Sequence, residues 1–331
     1  MFFPRNPVIS LRNAALTSLF VVAMTLVSLA ADPSALTWSK VKTTASPSAR
    51  GGAAVAYDPA SKKVVLFGGF TANSHLNDTW TFDGTTWTKV KTKTAPPARA
   101  AAMMAYDRNI HKIVLFGGFS GTAYLNDTWI WDGSTSTWTN AKPKTLPTAV
   151  TGPMVFVDPL NGRVTMFGGF DGRLYQNKTW QWTGKNWKNL NPSTVPGARA
   201  FGVVATDPIR KTTVIFGGLG DVRVDNTWTF DGTDWTQQTP QHQPEVLYMT
   251  SGAFDPLLKE VVLFGGGRGG EDQNGTWAWT GSDWSSLTPT KSPAARESLS
   301  TFYDPSSKQF LIFGGNDPNQ LYKDTWKLIG K

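Results

Sequence analysis

The sequence predicts an all-β, six-bladed β-propeller of four-stranded antiparallel blades, and three observations carry that reading. Phe-Gly-Gly occurs six times, at Phe67, Phe116, Phe167, Phe216, Phe264 and Phe313, with steps of 49, 51, 49, 48 and 49 residues. A Thr-Trp pair follows each, ending at Trp80, Trp129, Trp180, Trp228, Trp277 and Trp326. Trp38 lies 12 residues before Arg50, the spacing at which Trp87, Trp138, Trp187, Trp235 and Trp284 precede the next unit, yet it has no earlier strands of its own. A period near 50 built from short strands and turns marks a repeat architecture. The sixth copy stops at Trp326-Lys327-Leu328, so Leu36–Val41 is expected to supply its outer strand and close the ring, leaving no unpaired blade.

The first copy defines the unit. Arg50 to Tyr57 is small and apolar, as an innermost strand crowded around an axis requires, and Asp58-Pro59 turns the chain. Lys63 to Phe67 reads as a buried strand ending at Gly68-Gly69, where glycine allows close approach. Asp78 to Phe82 and Thr86 to Val90 then alternate around Asp83-Gly84, a strong hairpin signal. No stretch of the repeated part reads as a long helix.

Residues 1–30 differ from the rest. Arg5 and Arg12 precede an apolar stretch, and Ser28-Leu29-Ala30 has the small-x-small pattern of a cleavage site. This reads as a secretory signal peptide, with the propeller in residues 31–331. Its removal takes two arginines away, so the formal charge falls from +8 to +6. The chain has no cysteine, which excludes disulfides and thiolate chemistry, and an exported chain of this kind suits a bacterial periplasm or the medium outside. Each repeated Trp burying about 150–250 Å² gives roughly 4–6 kcal/mol gross at about 25 cal/mol/Å², an upper bound that can hold the fold without disulfides.

A double glycine after a hydrophobic strand, then an aromatic, then Trp a few residues on resembles the kelch repeat family, over roughly residues 36 to 330. The resemblance implies the propeller fold. Trp80, Trp129, Trp180, Trp228, Trp277 and Trp326 stand where many kelch repeats have Tyr. Relatives of this kind include protein-binding modules, sugar-binding proteins, sialic acid mutarotases and copper radical oxidases. The last class needs a Tyr cross-linked to Cys, and this chain has no Cys.

In an up-and-down blade, the connections after Gly-Gly and those opening the inner strand emerge on one face. The Asp-Pro and Asp-Gly turns emerge on the other. The turns are alike, whereas the loops after Gly-Gly differ from copy to copy, so the loop face is where binding is expected. Arg50, Arg99, Arg199 and Arg296 open four inner strands, with Val150 and Leu247 in the other two. Two roles suit them: a clamp on the carbonyls of adjacent loops, or an arginine ring receiving a carboxylate or sulfate.

Subtracting the repeat leaves a set in blades five and six. Three of the four glutamates, Glu245, Glu271 and Glu297, fall on the loop face near His242, Tyr248, Arg268, Asp272 and Arg296. Carboxylates beside His and Arg suit acid–base work, a sugar, or simply solvated loop charge. The expected ligand-binding set is Arg296, Glu245, Glu271 and Arg268, supported by Arg50, Arg99 and Arg199. Histidine occurs only at His75, His111 and His242, and His111 falls on the turn face, so no metal site or cofactor is expected. Lysines recur in the outer strands and the segments after them, for instance Lys40, Lys42, Lys89, Lys91 and Lys93. They suit protection of strand edges better than a nucleic-acid groove. The expectation is an exported monomer with no membrane span after signal cleavage, binding a carbohydrate or protein ligand. The alternative is a sugar-active enzyme such as a sialic acid mutarotase.

Overall fold

The computed structural model describes residues 36–221 and 224–330. The signal-peptide segment lies outside the described residues. Six four-stranded antiparallel sheets follow one another, each a simple meander from the axis outward. Blade 1 comprises Ala54–Asp58, Lys63–Phe67, Thr79–Phe82 and Trp87–Val90. Blade 6 comprises Ser300–Asp304, Gln309–Phe313 and Thr325–Ile329, with Thr37–Lys40 as its outer strand. Thr37 pairs with Ile329 and Lys40 with Trp326, which closes the ring as the spacing of Trp38 requires. The first strands of successive blades pack side by side all the way round, blade 6 against blade 1 included.

Burial follows from this arrangement. Second strands such as Val64, Val65, Leu66 and Phe67 are buried because each is covered by a neighbouring blade on both faces. The apolar core is six clusters, each shared by two adjacent blades. In one of them Trp87 packs on Phe302 and Phe313 across the junction of blades 1 and 6.

The double glycine is the joint between blades. The first glycine has φ between 65° and 72° in every blade, and a Cβ there would collide with a carbonyl of the next blade, Arg99 O in the case of Gly68. The second glycine donates its N–H to that same carbonyl, as Gly69 does to Arg99 at 2.9 Å. Only glycine supplies both the left-handed backbone and the close approach.

The inner strands begin later than the sequence suggests, at Ala54 in blade 1 rather than near Arg50. The preceding residues do something else. Gly52, Ala101, Gly152, Phe201, Met249 and Ser298 all have φ of 50–61°. Each donates its N–H to the equivalent carbonyl of the preceding blade at 2.7–2.9 Å, and Gly52 donates to Ser298, so the six bonds form a closed circle around the axis. Four of the six are not glycine, and left-handed backbone there costs on the order of 1–2 kcal/mol each, offset by the shared circle.

Candidate ligand-binding face

Arg50 is 1 % exposed, and its guanidinium grips the Asp78 carboxylate in a fork, Nη1 to Oδ1 at 2.6 Å and Nη2 to Oδ2 at 2.9 Å. Nη1 also donates to the Gly68 carbonyl at 2.9 Å, and Trp80 Nε1 donates to Asp78 Oδ2 at 2.7 Å. Arg99–Asp127–Trp129 repeats this triad in blade 2 and Arg296–Asp324–Trp326 in blade 6. Burial alone would raise the Asp78, Asp127 and Asp324 carboxyls. The arginine hydrogen bond and charge, with the Trp N–H, outweigh it and hold all three below the usual carboxylate value.

The blades that lack the arginine also lack its partner. Val150 is matched by Lys178 and Leu247 by Gly275 in the place of the aspartate. Arg199 is the intermediate case, with Asn226 in that place; burial lowers its pKa to about 10, and the Asp225 charge partly opposes this. These guanidiniums therefore clamp the Gly-Gly loop of their own blade. Their buried heads do not meet one another, and Arg296 is further covered by the Tyr322 ring at 3.8 Å.

Inside the circle of backbone hydrogen bonds runs a cavity of about 570 Å³. Its wall is mostly apolar, with Val55, Ala102, Met104 and Val155 along it, and it extends from Phe70, Phe201 and Glu297 at the loop end to Tyr57, Tyr106 and Tyr303 at the turn end. The loop face around the mouth has two unlike sides. On blades 1 to 3, half-buried rings touch in series: His75 to Phe119 at 5.8 Å, Phe119 to Tyr124 at 5.0 Å, Tyr124 to Phe170 at 5.9 Å, and Phe170 to Tyr175 at 4.8 Å. Backbone bridges from Phe70, Phe119 and Phe170 to Gly51, Ala100 and Thr151, just ahead of the inner strands, fix the base of this arc.

On blades 5 and 6 the mouth is acidic. The two-stranded hairpin Gly267–Arg268 and Glu271–Asp272 places Asp272 opposite Gly267. Glu297 and the Tyr248 ring both lean over Gly267, where a Cβ would collide with either. Burial, then the Asp272 charge, raises the Glu297 carboxyl, and a hydrogen bond from Asn316 only partly opposes this. Burial, then the Asp317 charge, raises Asp272.

The family model of the KLHDC2/KLHL20/DRC7 kelch-repeats domain matches residues 23–194, just over half of the chain. The chain belongs to the kelch-repeat family. No curated protein matches it. The resemblance read from the double glycines and the six-fold ring of the structure agree with that membership.

In this kelch propeller the expected set is only partly assembled. Arg268 and Glu245 form an ion pair at 2.7 Å, with side chains 40 % and 66 % exposed, and Glu271 stands exposed across the hairpin from Arg268. Arg296 lies buried beneath the same corner, while Arg50, Arg99 and Arg199 stay in their separate blades. Glu297 lines the cavity, and Asp272 stands next to it across the hairpin from Gly267. The aromatic arc was missed, although Phe70, Phe119 and Phe170 follow their double glycines directly and Tyr124 and Tyr175 share one register. Among the described residues no cluster of His, Cys, Asp and Glu could hold a metal, and no helix is long and apolar enough to cross a membrane.

Proposed function

We propose that this kelch propeller is a binding module that takes a protein or carbohydrate ligand on its loop face, over the mouth of the central cavity. The observation that carries the reading is the aromatic arc from His75 to Tyr175, half-exposed and in continuous ring contact on the loop face, where a cavity of about 570 Å³ also ends. Half-exposed rings offer large apolar area with little conformational freedom to lose on binding, which suits both a sugar face and an apolar side chain. The arginine clamps and the circle of backbone hydrogen bonds keep the arc pre-organised, which lowers the cost of binding. Peptide and glycan arrays probed with residues 31–331 test the proposal. Tyr124→Ala, which opens the middle of the arc, should weaken any ligand found by about tenfold or more. Ligands that bind the Tyr124→Ala protein as well as the parent would place the site elsewhere.

The acidic corner favours one second reading, sugar anomerisation as in a mutarotase. Burial and neighbouring charge raise both the Glu297 and Asp272 carboxyls, so the pair resists losing both protons, as an acid beside a base requires. Line-shape NMR on reducing sugars, with and without the protein, separates turnover from binding. We also propose export to the periplasm or medium, with a mature end at or near Ala31; an intact Met1–Ala30 segment in protein recovered from the producing cell would contradict it.

A further inference from the structure

We infer that the cavity mouth receives a lysine or arginine side chain of a polypeptide partner, its charge set against Glu297 and Asp272 and its stem against the apolar wall. The inference rests on the loop-face reading above and goes beyond it by naming the chemistry of the group that enters.

Glu297 borders the cavity, pairs through its backbone with Asn316, and shares the space over Gly267 with Tyr248. Asp272 lies across the hairpin from that glycine. Two carboxylates held this close and half out of water repel one another unless a proton or a cation intervenes. The neighbouring cations are committed elsewhere: Arg268 pairs with Glu245, and Arg296 with Asp324. Among the described residues neither Glu297 nor Asp272 has an ion-pair partner.

The corner also has buried acceptors without donors. Asp272 Oδ2 and Asn316 Oδ1 are shielded from solvent and make no hydrogen bond. Deeper on the wall of the same cavity, Thr301 is 6 % exposed and its Oγ1 has no partner either. A set made of carboxylates, an amide oxygen and a hydroxyl calls for a ligand rich in donors. An ammonium brings three and a guanidinium five, each with the charge that relieves the pair. Below the corner the wall is apolar, as a methylene stem requires, and the cavity has ample room for one long side chain. The aromatic arc on the loop face of blades 1 to 3 gives the flanking residues of a polypeptide a surface to lie on.

The test uses nonapeptides of Gly, Ser and Leu whose central residue is Lys, Arg, Gln or Glu, titrated into residues 31–331 by fluorescence anisotropy. The Lys and Arg peptides should bind roughly ten- to a hundredfold more tightly than the Gln peptide, with the Glu peptide weakest. That preference should vanish in the Glu297→Gln/Asp272→Asn protein and persist in Glu260→Gln. Should the double variant fold poorly, Glu297→Gln alone reduces the preference, and in the parent protein added salt lowers affinity for the Lys peptide but not the Gln peptide. Peptide binding without a basic preference, or a preference that survives the double variant, overturns the inference while leaving the loop face as the site. Binding of glycans alone overturns it too. Binding of neither peptides nor glycans removes the loop-face reading as well.

Discussion

Trp38 Nε1 donates to Thr276 Oγ1 at 3.0 Å, joining residues 238 apart in the chain. The bond ties the outer strand of blade 6 to the third strand of blade 5. Trp87 does the same to Thr325, Trp138 to Thr79, Trp187 to Thr128, Trp235 to Thr179 and Trp284 to Thr227, all at 2.9–3.0 Å. Every outer strand is thus pegged to the blade before it, and the peg of blade 6 is carried by the N-terminal strand. Deleting residues up to Val41 removes that peg, exposes the edge of Thr325–Ile329 and leaves Thr276 without its partner. The truncated protein should lose the cooperative thermal transition of the parent. A truncated protein that kept its thermal midpoint would count against closure as the source of stability.

The Arg99–Asp127 clamp predicts strong non-additivity. Arg99 has a fully buried side chain, whereas Asp127 keeps 26 % of its own exposed. Removing Asp127 leaves a fully buried guanidinium unpaired and removing Arg99 leaves a largely buried carboxylate unpaired, so Arg99→Met or Asp127→Leu alone should cost about 3–5 kcal/mol. The double substitution should cost less than the sum. Blade 3, with Val150 and Lys178, already shows the ring closing without this pair. Chemical denaturation of the four proteins of the cycle measures the coupling.

The same clamps set a pH dependence. Asp78, Asp127 and Asp324 have folded-state pKa values below their unfolded ones. A depressed carboxyl contributes stability that is present above its unfolded value, about 3.9, and is lost as pH falls through the folded value. Asp158 and Asp255 run the other way: burial raises them, against backbone hydrogen bonds, so acidification relieves rather than breaks them. The thermal midpoint should therefore fall steeply only below about pH 4. The Arg99→Met/Asp127→Leu protein should show a shallower fall over the same range. An equal slope in both would mean that other carboxylates govern acid unfolding.

The blade count, the closing strand and the two faces were legible because each is written six times, and a six-fold signal survives local variation. The clamp was legible in principle. Asp78, Asp127 and Asp324 lie 28 residues after Arg50, Arg99 and Arg296, and the aspartate disappears where the arginine does. The pairing is masked because each aspartate ends a loop whose other residues differ from copy to copy. The start of the inner strand was missed for another reason: Ala101, Phe201, Met249 and Ser298 carry no local mark of left-handed backbone, which is imposed by the hydrogen bonds around the ring. The acidic corner was half legible. Rarity drew attention to Glu245, Glu271 and Glu297, but rarity could not say that Glu297 borders the cavity and that Glu245 pairs with Arg268 on the exposed rim.

The exposed rim yields the last prediction. Glu245, Arg268 and Glu271 stand on the loop face beside the mouth, and the Glu245–Arg268 pair is too exposed to contribute much to folding. Glu245→Gln and Glu271→Gln should leave the thermal midpoint within about a degree or two of the parent. If the rim touches the ligand, each should weaken binding by roughly ten- to a hundredfold, the effect of losing a charged hydrogen bond. Glu260 is the control: it opens a second strand beside Asp255, at the turn end of blade 5, where no ligand on the loop face can reach it. Calorimetric titration of the three variants decides the matter. Equal loss from Glu260→Gln would mean that the ligand enters from the turn face, and that the loop face had been chosen wrongly.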